Sequence, residues 1–152
     1  MKDMFKWPLL IAFVLVVGRI VSEQMGMPLT VNNLFSVAVL YVAIAPVYFA
    51  LQIAKSSEPS PYKTLLKTIA LFTLIVRGLF VIPTYWLAYI YQWQAPRFSV
   101  VGGGVVGPGV TPLAAFVTLP VLALMAWLVA SLVLGGGIGS LIIAKSRPKA
   151  AA

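Results

Sequence analysis

Residues 65–91 read LLKTIALFTLIVRGLFVIPTYWLAYIY, an apolar stretch that carries one arginine, Arg77, near its middle. A helix needs about 20 mostly apolar residues to cross a hydrocarbon core ~30 Å thick. Lys67 marks one end of the stretch, and aromatic residues between Tyr85 and Trp93 mark the other, as is typical of membrane interfaces. The stretch therefore predicts a membrane-spanning helix, around which the other apolar segments of the chain pack.

Arg77 is expected near the middle of the bilayer, because it lies ten residues after Lys67 and so about 15 Å along a helix. A lone guanidinium at that depth costs at least ~2.5–3.5 kcal/mol on membrane-insertion scales. We therefore expect Arg77 to face other helices. Two interpretations remain open. One is a site for an ion, a proton or an anionic ligand, and the other is an arginine that ties helices together through carbonyl, tyrosine or glutamate oxygens.

Polar residues at helical spacing define the expected surroundings of Arg77. Thr73 lies four residues before it, on the same face of the helix. Tyr41 and Tyr48 share one face of the preceding predicted helix, at depths on either side of Arg77. We expect this face to contact the Arg77 helix, where a Tyr hydroxyl or a carbonyl freed by Pro46 or Pro83 accepts from the guanidinium. Thr73, Tyr41, Tyr48 and Arg77 are thus candidate binding residues.

Composition places the whole chain in a membrane. The sequence has 152 residues, 61% of them hydrophobic and 9% charged, with a mean hydropathy of +1.02. Soluble domains are about 45–50% apolar. We predict one all-α domain over residues 1–152, a bundle of transmembrane helices. The net charge of +8 does not indicate nucleic-acid binding, because the basic residues lie at the ends of apolar segments.

Several kinds of chemistry are excluded by the residues that the sequence lacks. Cysteine and histidine are absent, which excludes thiolate catalysis, histidine-ligated haem and most zinc sites. Asp3, Glu23 and Glu58 are the only acidic residues, which argues against carboxylate metal cages and paired-carboxylate hydrolases. We predict that the protein is not an enzyme and that it holds no metal or cofactor. A bound lipid, pigment or quinone is compatible with this composition.

Four helices are predicted, at about 5–22, 34–54, 65–91 and 113–144, with the main span of the last at 120–143. The first could instead be a signal peptide, but Ile20-Val21-Ser22 is a poor cleavage site. Arg19 and Glu23 are four residues apart, and we predict that they pair and complete the binding cluster. Pro83 is expected to kink the third helix.

The two remaining features are a loop and a face of small residues. Residues 92–112 are rich in glycine but lack the lysine and the flanking strand of a phosphate-binding loop. They predict a small hairpin or a collapsed flap on the membrane surface or on a partner. Ser131, Gly135 and Gly139 recur every four residues and predict close helix packing, within the chain or between copies. The basic tail, residues 145–152, is predicted to be disordered.

The distribution of basic residues predicts the orientation. Eight of the eleven lysines and arginines fall on one side of the predicted spans, and Arg97 alone falls on the other. The remaining two, Arg19 and Arg77, lie within spans. The positive-inside rule then predicts four spans, cytoplasmic N- and C-termini, and an external 92–112 loop. We expect a bacterial-type inner (plasma) membrane.

The function predicted from these features is non-catalytic. The main prediction is a small structural or accessory subunit of a larger membrane complex, or a homo-oligomer. It would contact membrane-protein partners through the 92–112 loop and the 131–139 face. The alternative is a small transporter or channel whose path Arg77 lines, although the internal repeats of many carriers are absent. A lipid-modifying enzyme would need an acid–base pair or a metal cluster, and the sequence offers neither.

Overall fold

The computed structural model describes residues 2–146, with side chains from residue 4 onward, and its regular structure is helical. Within these residues five longer helices follow one another: α1 Lys2–Gln24, α2 Leu29–Leu34, α3 Leu40–Ala54, α4 Pro61–Tyr91 and α5 Ala114–Ser146. Two short 3₁₀ helices, Pro96–Phe98 and Val100–Gly102, lie between α4 and α5. No β-strand forms between residues 2 and 146, so the predicted all-α class is confirmed. Of the tail predicted to be disordered, Lys145 and Ser146 belong to α5, and the rest lies outside the described residues.

Three of the helices are long and apolar enough to cross a membrane: 21 residues of α1, all 31 of α4 and all 33 of α5. The fourth predicted span is shorter. Its five-residue and ten-residue parts, which together form α3, rise only about 22 Å. That is less than a hydrocarbon core of ~30 Å.

The predicted helix 34–54 begins later than expected because the chain turns at residues 35–37. The Phe35 N–H donates to the carbonyl of Asn32 at 3.3 Å, which closes α2. The Ser36 hydroxyl then accepts a hydrogen bond from the N–H of Ala38 at 3.4 Å. A serine bonded to the N–H two residues ahead begins a new helix rather than extending the old one. Residues 29–34 therefore form the separate helix α2.

Helices α3, α4 and α5 each contain a wide π-helical turn that ends two residues before a proline. The turns are Leu40–Ile44 before Pro46, Val76–Val81 before Pro83 and Ala114–Thr118 before Pro120. In each helix the residue before the proline donates its N–H to the carbonyl five residues back. Proline lacks an N–H and its ring clashes with the carbonyl four residues back, and a wider turn accommodates both constraints. A π turn thus precedes Pro83, where the sequence predicted a kink, and that turn contains Arg77.

The half of the bundle away from residues 92–112, the terminal half, is filled by aromatic and aliphatic side chains. Phe49 packs edge-on against Phe72 with ring centroids 5.4 Å apart, and Phe5 lies 5.5 Å from Phe49. Phe49, Phe72 and Leu65 are fully buried. These contacts hold α3 and α4 together in the centre of the fold.

The predicted small-residue face of α5 is covered within the chain. A Cβ atom added at Gly135 would lie 2.6 Å from Cγ of Pro46, and one at Gly139 would lie 2.8 Å from Cδ2 of Leu65. Ser131, on the same face, is buried and donates its hydroxyl to the carbonyl of Trp127 at 2.7 Å. The face therefore holds α5 against α3 and α4, and a single copy of the chain already occupies it.

The flanking helices leave large apolar surfaces uncovered. In the most apolar window of each helix, 17% of the residues are buried in α1 and 11% in α5, against 50% in α4. Leu122, Val133 and Leu141 of α5 are each more than 60% exposed. Such surfaces fit a lipid environment better than water.

Residues 92–112 fold back onto the bundle and form its loop end. Phe98 and Val105 are fully buried and pack with Ala88 of α4 and Ala115 of α5. The Val106 N–H donates to the carbonyl of Phe98 at 2.7 Å, and an isolated bridge replaces the hairpin considered from the sequence. The segment is thus a collapsed flap that lies on its own chain.

Candidate functional site

A cavity of about 280 Å³ lies beneath the flap at the loop end of the bundle. Helices α1, α3, α4 and α5 and the flap all contribute to its walls. The polar and aromatic residues in the wall are Arg19, Phe35, Ser36, Tyr41, Arg77, Tyr85, Arg97 and Trp127. Three arginines from three separate parts of the chain therefore meet around one space.

Arg77 reaches this cavity from the π turn of α4. Its side chain belongs to a residue only 8% exposed, and its guanidinium carbon lies 5.5 Å from the centroid of the Trp127 ring. The buried Nε has no hydrogen-bond partner among the described residues, and no hydrogen bond from either terminal nitrogen is found there. A cation–π contact contributes about 0.5–2 kcal/mol. It satisfies none of the five N–H donors of the guanidinium.

Tyr41 is the predicted partner that does lie beside Arg77. It is fully buried, lines the same cavity, and packs edge-on against Trp127 with ring centroids 5.3 Å apart. No hydrogen bond joins its hydroxyl to Arg77 in the described residues. The hydrogen-bonded tie between helices, which was one of the two interpretations of Arg77, is therefore not formed here.

Tyr48 and Thr73 lie elsewhere. Tyr48 packs against Phe49 and borders a separate apolar hollow with Trp7 and Ile44. The π turn at residues 40–44 alters the regular helical spacing that placed Tyr41 and Tyr48 on one face. Thr73 is fully buried but does not line the cavity, and its hydroxyl oxygen has no partner among the described residues. Of the residues expected around Arg77 on α3 and α4, the structure thus brings only Tyr41 to the cavity.

Glu23 is held between two arginines. Its Oε1 lies 3.0 Å from Nε of Arg19, at the predicted spacing of four residues, and its Oε2 lies 2.9 Å from Nε of Arg97. The Glu23 side chain is 3% exposed. Arg19 also donates from Nη2 to Oδ1 of Asn33 at 3.4 Å. The carboxylate therefore joins α1 to the flap and has both oxygens engaged.

Arg97, like Tyr85 and Trp127, lines the cavity but was not among the residues predicted for the site. It was counted only as the one basic residue of a loop, although its aromatic neighbours Trp93 and Phe98 signal a buried segment. The structure places its guanidinium carbon 4.2 Å from the centroid of the Phe98 ring, and its Nη2 is buried without a partner among the described residues. Burial lowers the pKa of Arg97 from its ordinary value, and the negative charge of Glu23 opposes that shift.

Positive charge exceeds negative charge at the cavity. Arg19, Arg77 and Arg97 line it, and Glu23 is the one carboxylate that pairs with any of them in the described residues. Two positive charges thus remain uncompensated in a partly buried space. Guanidinium groups bind phosphate and carboxylate through paired N–H donors. The chemistry of this arrangement is therefore that of anion binding.

The described residues offer little other chemistry. No group of three or more His, Cys, Asp or Glu residues between positions 2 and 146 could hold a metal ion. Comparison with protein-family models, with curated proteins and with solved structures finds no match to this chain. Functional inference therefore depends on the cavity and on the helices that enclose it.

Proposed function

We propose that this chain is a four-span membrane protein of a bacterial-type plasma membrane, with both termini in the cytoplasm and the flap outside. The three long apolar helices support membrane insertion. In this arrangement α3 is the fourth span, and the turn at residues 35–37 and α2 extend its short length at the external side. The concentration of lysines at the opposite ends of the helices supports the orientation.

The absence of cysteine makes this topology directly testable. Val101, at the tip of the flap, is 96% exposed, and Ser57, in the loop between α3 and α4, is also exposed. In intact cells, a membrane-impermeant maleimide should label Val101→Cys but not Ser57→Cys. Both variants should be labelled after lysis. Labelling of Ser57→Cys alone in intact cells would show that the orientation is the opposite of the proposed one. Labelling of both variants would contradict the four-span topology.

Within this topology, the function we propose is non-catalytic binding of an anion in the external half of the bundle. One observation carries the proposal: Arg77 is buried at the cavity wall with its Nε unpartnered, while two positive charges in the wall lack a counter-ion. An unpaired buried charge is costly, and a bound anion would remove that cost. Glu23 supports the non-catalytic part, because both its oxygens already accept hydrogen bonds and it is not free to act as a base.

Two biological roles use such a site differently. An accessory subunit or homo-oligomer would hold the anion, whereas a transporter or channel would release it across the membrane. The packed terminal half favours holding, because Phe49, Phe72 and Leu65 fill the space beyond the cavity. The small accessory subunit is therefore the role we propose, and the transporter remains the alternative because Arg77 lines the cavity.

Anion binding is tested by thermal unfolding of the purified protein in a nonionic detergent. Inorganic phosphate should raise the midpoint temperature relative to sodium chloride of equal ionic strength. Arg77→Gln should abolish this response. Lys63→Gln removes an exposed positive charge outside the cavity and should leave the response unchanged. An unresponsive wild-type protein, or Arg77→Gln responding like wild type, would refute the proposal.

Purification from native membranes distinguishes the two proposed roles. Partners that co-purify in fixed proportion identify a subunit, and a discrete assembly of one chain identifies a homo-oligomer. Phosphate flux into liposomes that contain only this protein, lost in Arg77→Ala, identifies a transporter. The absence of flux together with retained phosphate binding would exclude the transporter.

A further inference from the structure

The cavity continues into an apolar crevice between α4 and α5. This crevice has a volume of only about 10 Å³. It shares Arg77, Val81, Tyr85, Gly103 and Ala123 with the wall of the cavity. Its other lining residues are all apolar: Ile82, Val105, Leu119 and Pro120. The arginine-lined space is therefore bounded on this side by a hydrocarbon surface and not by a polar one.

One wall of this crevice belongs to α5, a helix whose opposite face is exposed. Leu119 and Ala123 are half-buried, while Leu122 between them in sequence is 61% exposed. On the loop side, the indole N–H of Trp86 donates to the carbonyl of Phe116 at 3.0 Å and joins the two helices. The crevice residues that do not also line the cavity, among them Ile82, Leu119 and Pro120, are apolar.

The volume of the cavity limits what it can hold. Pockets for small molecules usually measure ~300–1,000 Å³, and this one, at about 280 Å³, is just below that range. It fits an anionic headgroup but not the hydrocarbon chain attached to it. For a chain to leave through the crevice, whose volume is about 10 Å³, the side chains of Leu119 and Ile82 have to move apart.

From the juxtaposition of three arginines with the apolar crevice between α4 and α5, we infer that the cavity binds the phosphate headgroup of an anionic lipid. The hydrocarbon chain of that lipid lies in the crevice. This inference depends on the proposed anion-binding function and specifies its ligand class. The two excess positive charges match the charge of a phosphomonoester, which approaches −2 near neutral pH. Basic pockets between transmembrane helices have the chemistry to bind such headgroups.

Three probes separate the contributions of headgroup and chain in the purified, detergent-solubilised protein. They are inorganic phosphate, an oleoyl lysophosphatidic acid, and oleoyl glycerol as a chain without charge. Each is titrated while the unfolding midpoint temperature is recorded. The lysophosphatidic acid should reach its half-maximal effect at a concentration at least ~10-fold below that of phosphate, because each buried methylene group adds to affinity. Oleoyl glycerol should produce no shift.

A matched pair of variants assigns the chain to the crevice. Leu119→Trp fills the crevice without altering the arginines, and Leu122→Trp adds the same bulk at an exposed position of the same helix. Leu119→Trp should bring the half-maximal concentration of the lysophosphatidic acid to within ~2-fold of that of phosphate, a change that reflects lost burial of the chain. Its response to phosphate should stay unchanged, which also shows that the variant is folded. Leu122→Trp should behave like wild type with both probes.

The possible failures are distinguishable. If phosphate and the lysophosphatidic acid act at equal concentrations on wild type, the site takes a free anion, and the lipid inference is wrong while anion binding stands. If Leu119→Trp and Leu122→Trp respond alike to the lysophosphatidic acid, the chain does not lie in the crevice and the inference is wrong. If neither anionic probe shifts the wild-type midpoint, anion binding itself is refuted.

Discussion

Arg97 and Glu23 are 74 residues apart in the chain, yet Nε of Arg97 lies 2.9 Å from Oε2 of Glu23. This contact joins the flap to the end of α1. Because Glu23 also pairs with Arg19, one carboxylate holds two guanidinium groups beside the cavity. The pairing closes the fold over its loop end, and it also concentrates positive charge there.

Removing this carboxylate should destabilise the protein strongly. In Glu23→Gln, Arg19 and Arg97 both lose their negative partner in a mostly buried position. We expect the free energy of unfolding to fall by about 3 kcal/mol, the usual effect of leaving one partner of a buried pair uncompensated. Equilibrium unfolding in mixed detergent with increasing dodecyl sulfate measures it. Lys63→Gln, which also changes the net charge by one unit but at an exposed position of α4, should shift stability by about 0.5 kcal/mol or less. Equal effects of the two variants would contradict the role of Glu23.

Replacing Arg77 by leucine should stabilise the unliganded protein. The leucine removes an unpaired charge and gives up only the contact with Trp127. We expect a gain of about 1–2 kcal/mol, within the range found when buried charges are replaced by apolar residues. Arg77→Lys keeps the charge and should show no such gain. A loss of stability in Arg77→Leu would mean that Arg77 ties helices together, and it would support the structural interpretation over the binding one.

The packing of α5 should be sensitive at Gly135 and tolerant at Gly137. A methyl group at Gly135 would lie 2.6 Å from Cγ of Pro46 and 3.0 Å from the carbonyl oxygen of Val42, whereas one at Gly137 meets nothing within 4 Å. Gly135→Ala should therefore cost about 1–3 kcal/mol. Gly137→Ala should be neutral or slightly stabilising, because alanine favours the helix by up to ~1 kcal/mol. The same unfolding titration compares them, and equal stabilities would show that this face is not packed as described.

Gly104 should control closure of the flap. A Cβ atom there would lie only 2.1 Å from the carbonyl oxygen of Phe98, so alanine cannot occupy this position without movement of the backbone. With Gly104→Ala, a cysteine placed at Val106, which is 8% exposed, should react with a maleimide about tenfold faster. Val101→Cys at the exposed tip should react at the same rate with and without the substitution. An unchanged rate at position 106 would show that the flap does not depend on this contact.

The helical character of the chain and the burial of Arg77 follow from local chemistry. The free energy of transferring a long apolar run from water to lipid is a sum over its residues. A charge inside such a run must turn away from lipid. The Arg19–Glu23 pair is equally local, since a spacing of four residues brings its members together on a helix. Properties of this kind can be predicted from a sequence without knowledge of how its helices pack.

The exact course of the second predicted helix was not predictable in the same way. A proline in an apolar helix predicts an irregular turn, but a kink and a π turn are alternative responses to the same missing N–H. The choice of a π turn at residues 40–44 altered the spacing between Tyr41 and Tyr48 and sent the two rings to different parts of the molecule. A widened turn before Pro46 could not be assumed from the sequence, since Pro8 lies in α1 without one.

By itself, then, the sequence determined that the chain forms apolar helices and that Arg77 must be enclosed by protein, because both depend on the solvation of contiguous residues. Only the tertiary structure decided that Arg97 reaches Glu23 and that three arginines share one cavity beside an apolar crevice. Those outcomes depend on which helix faces meet and on how the flap closes. Such contacts join residues far apart in the chain, and no local pattern of hydrophobicity specifies them.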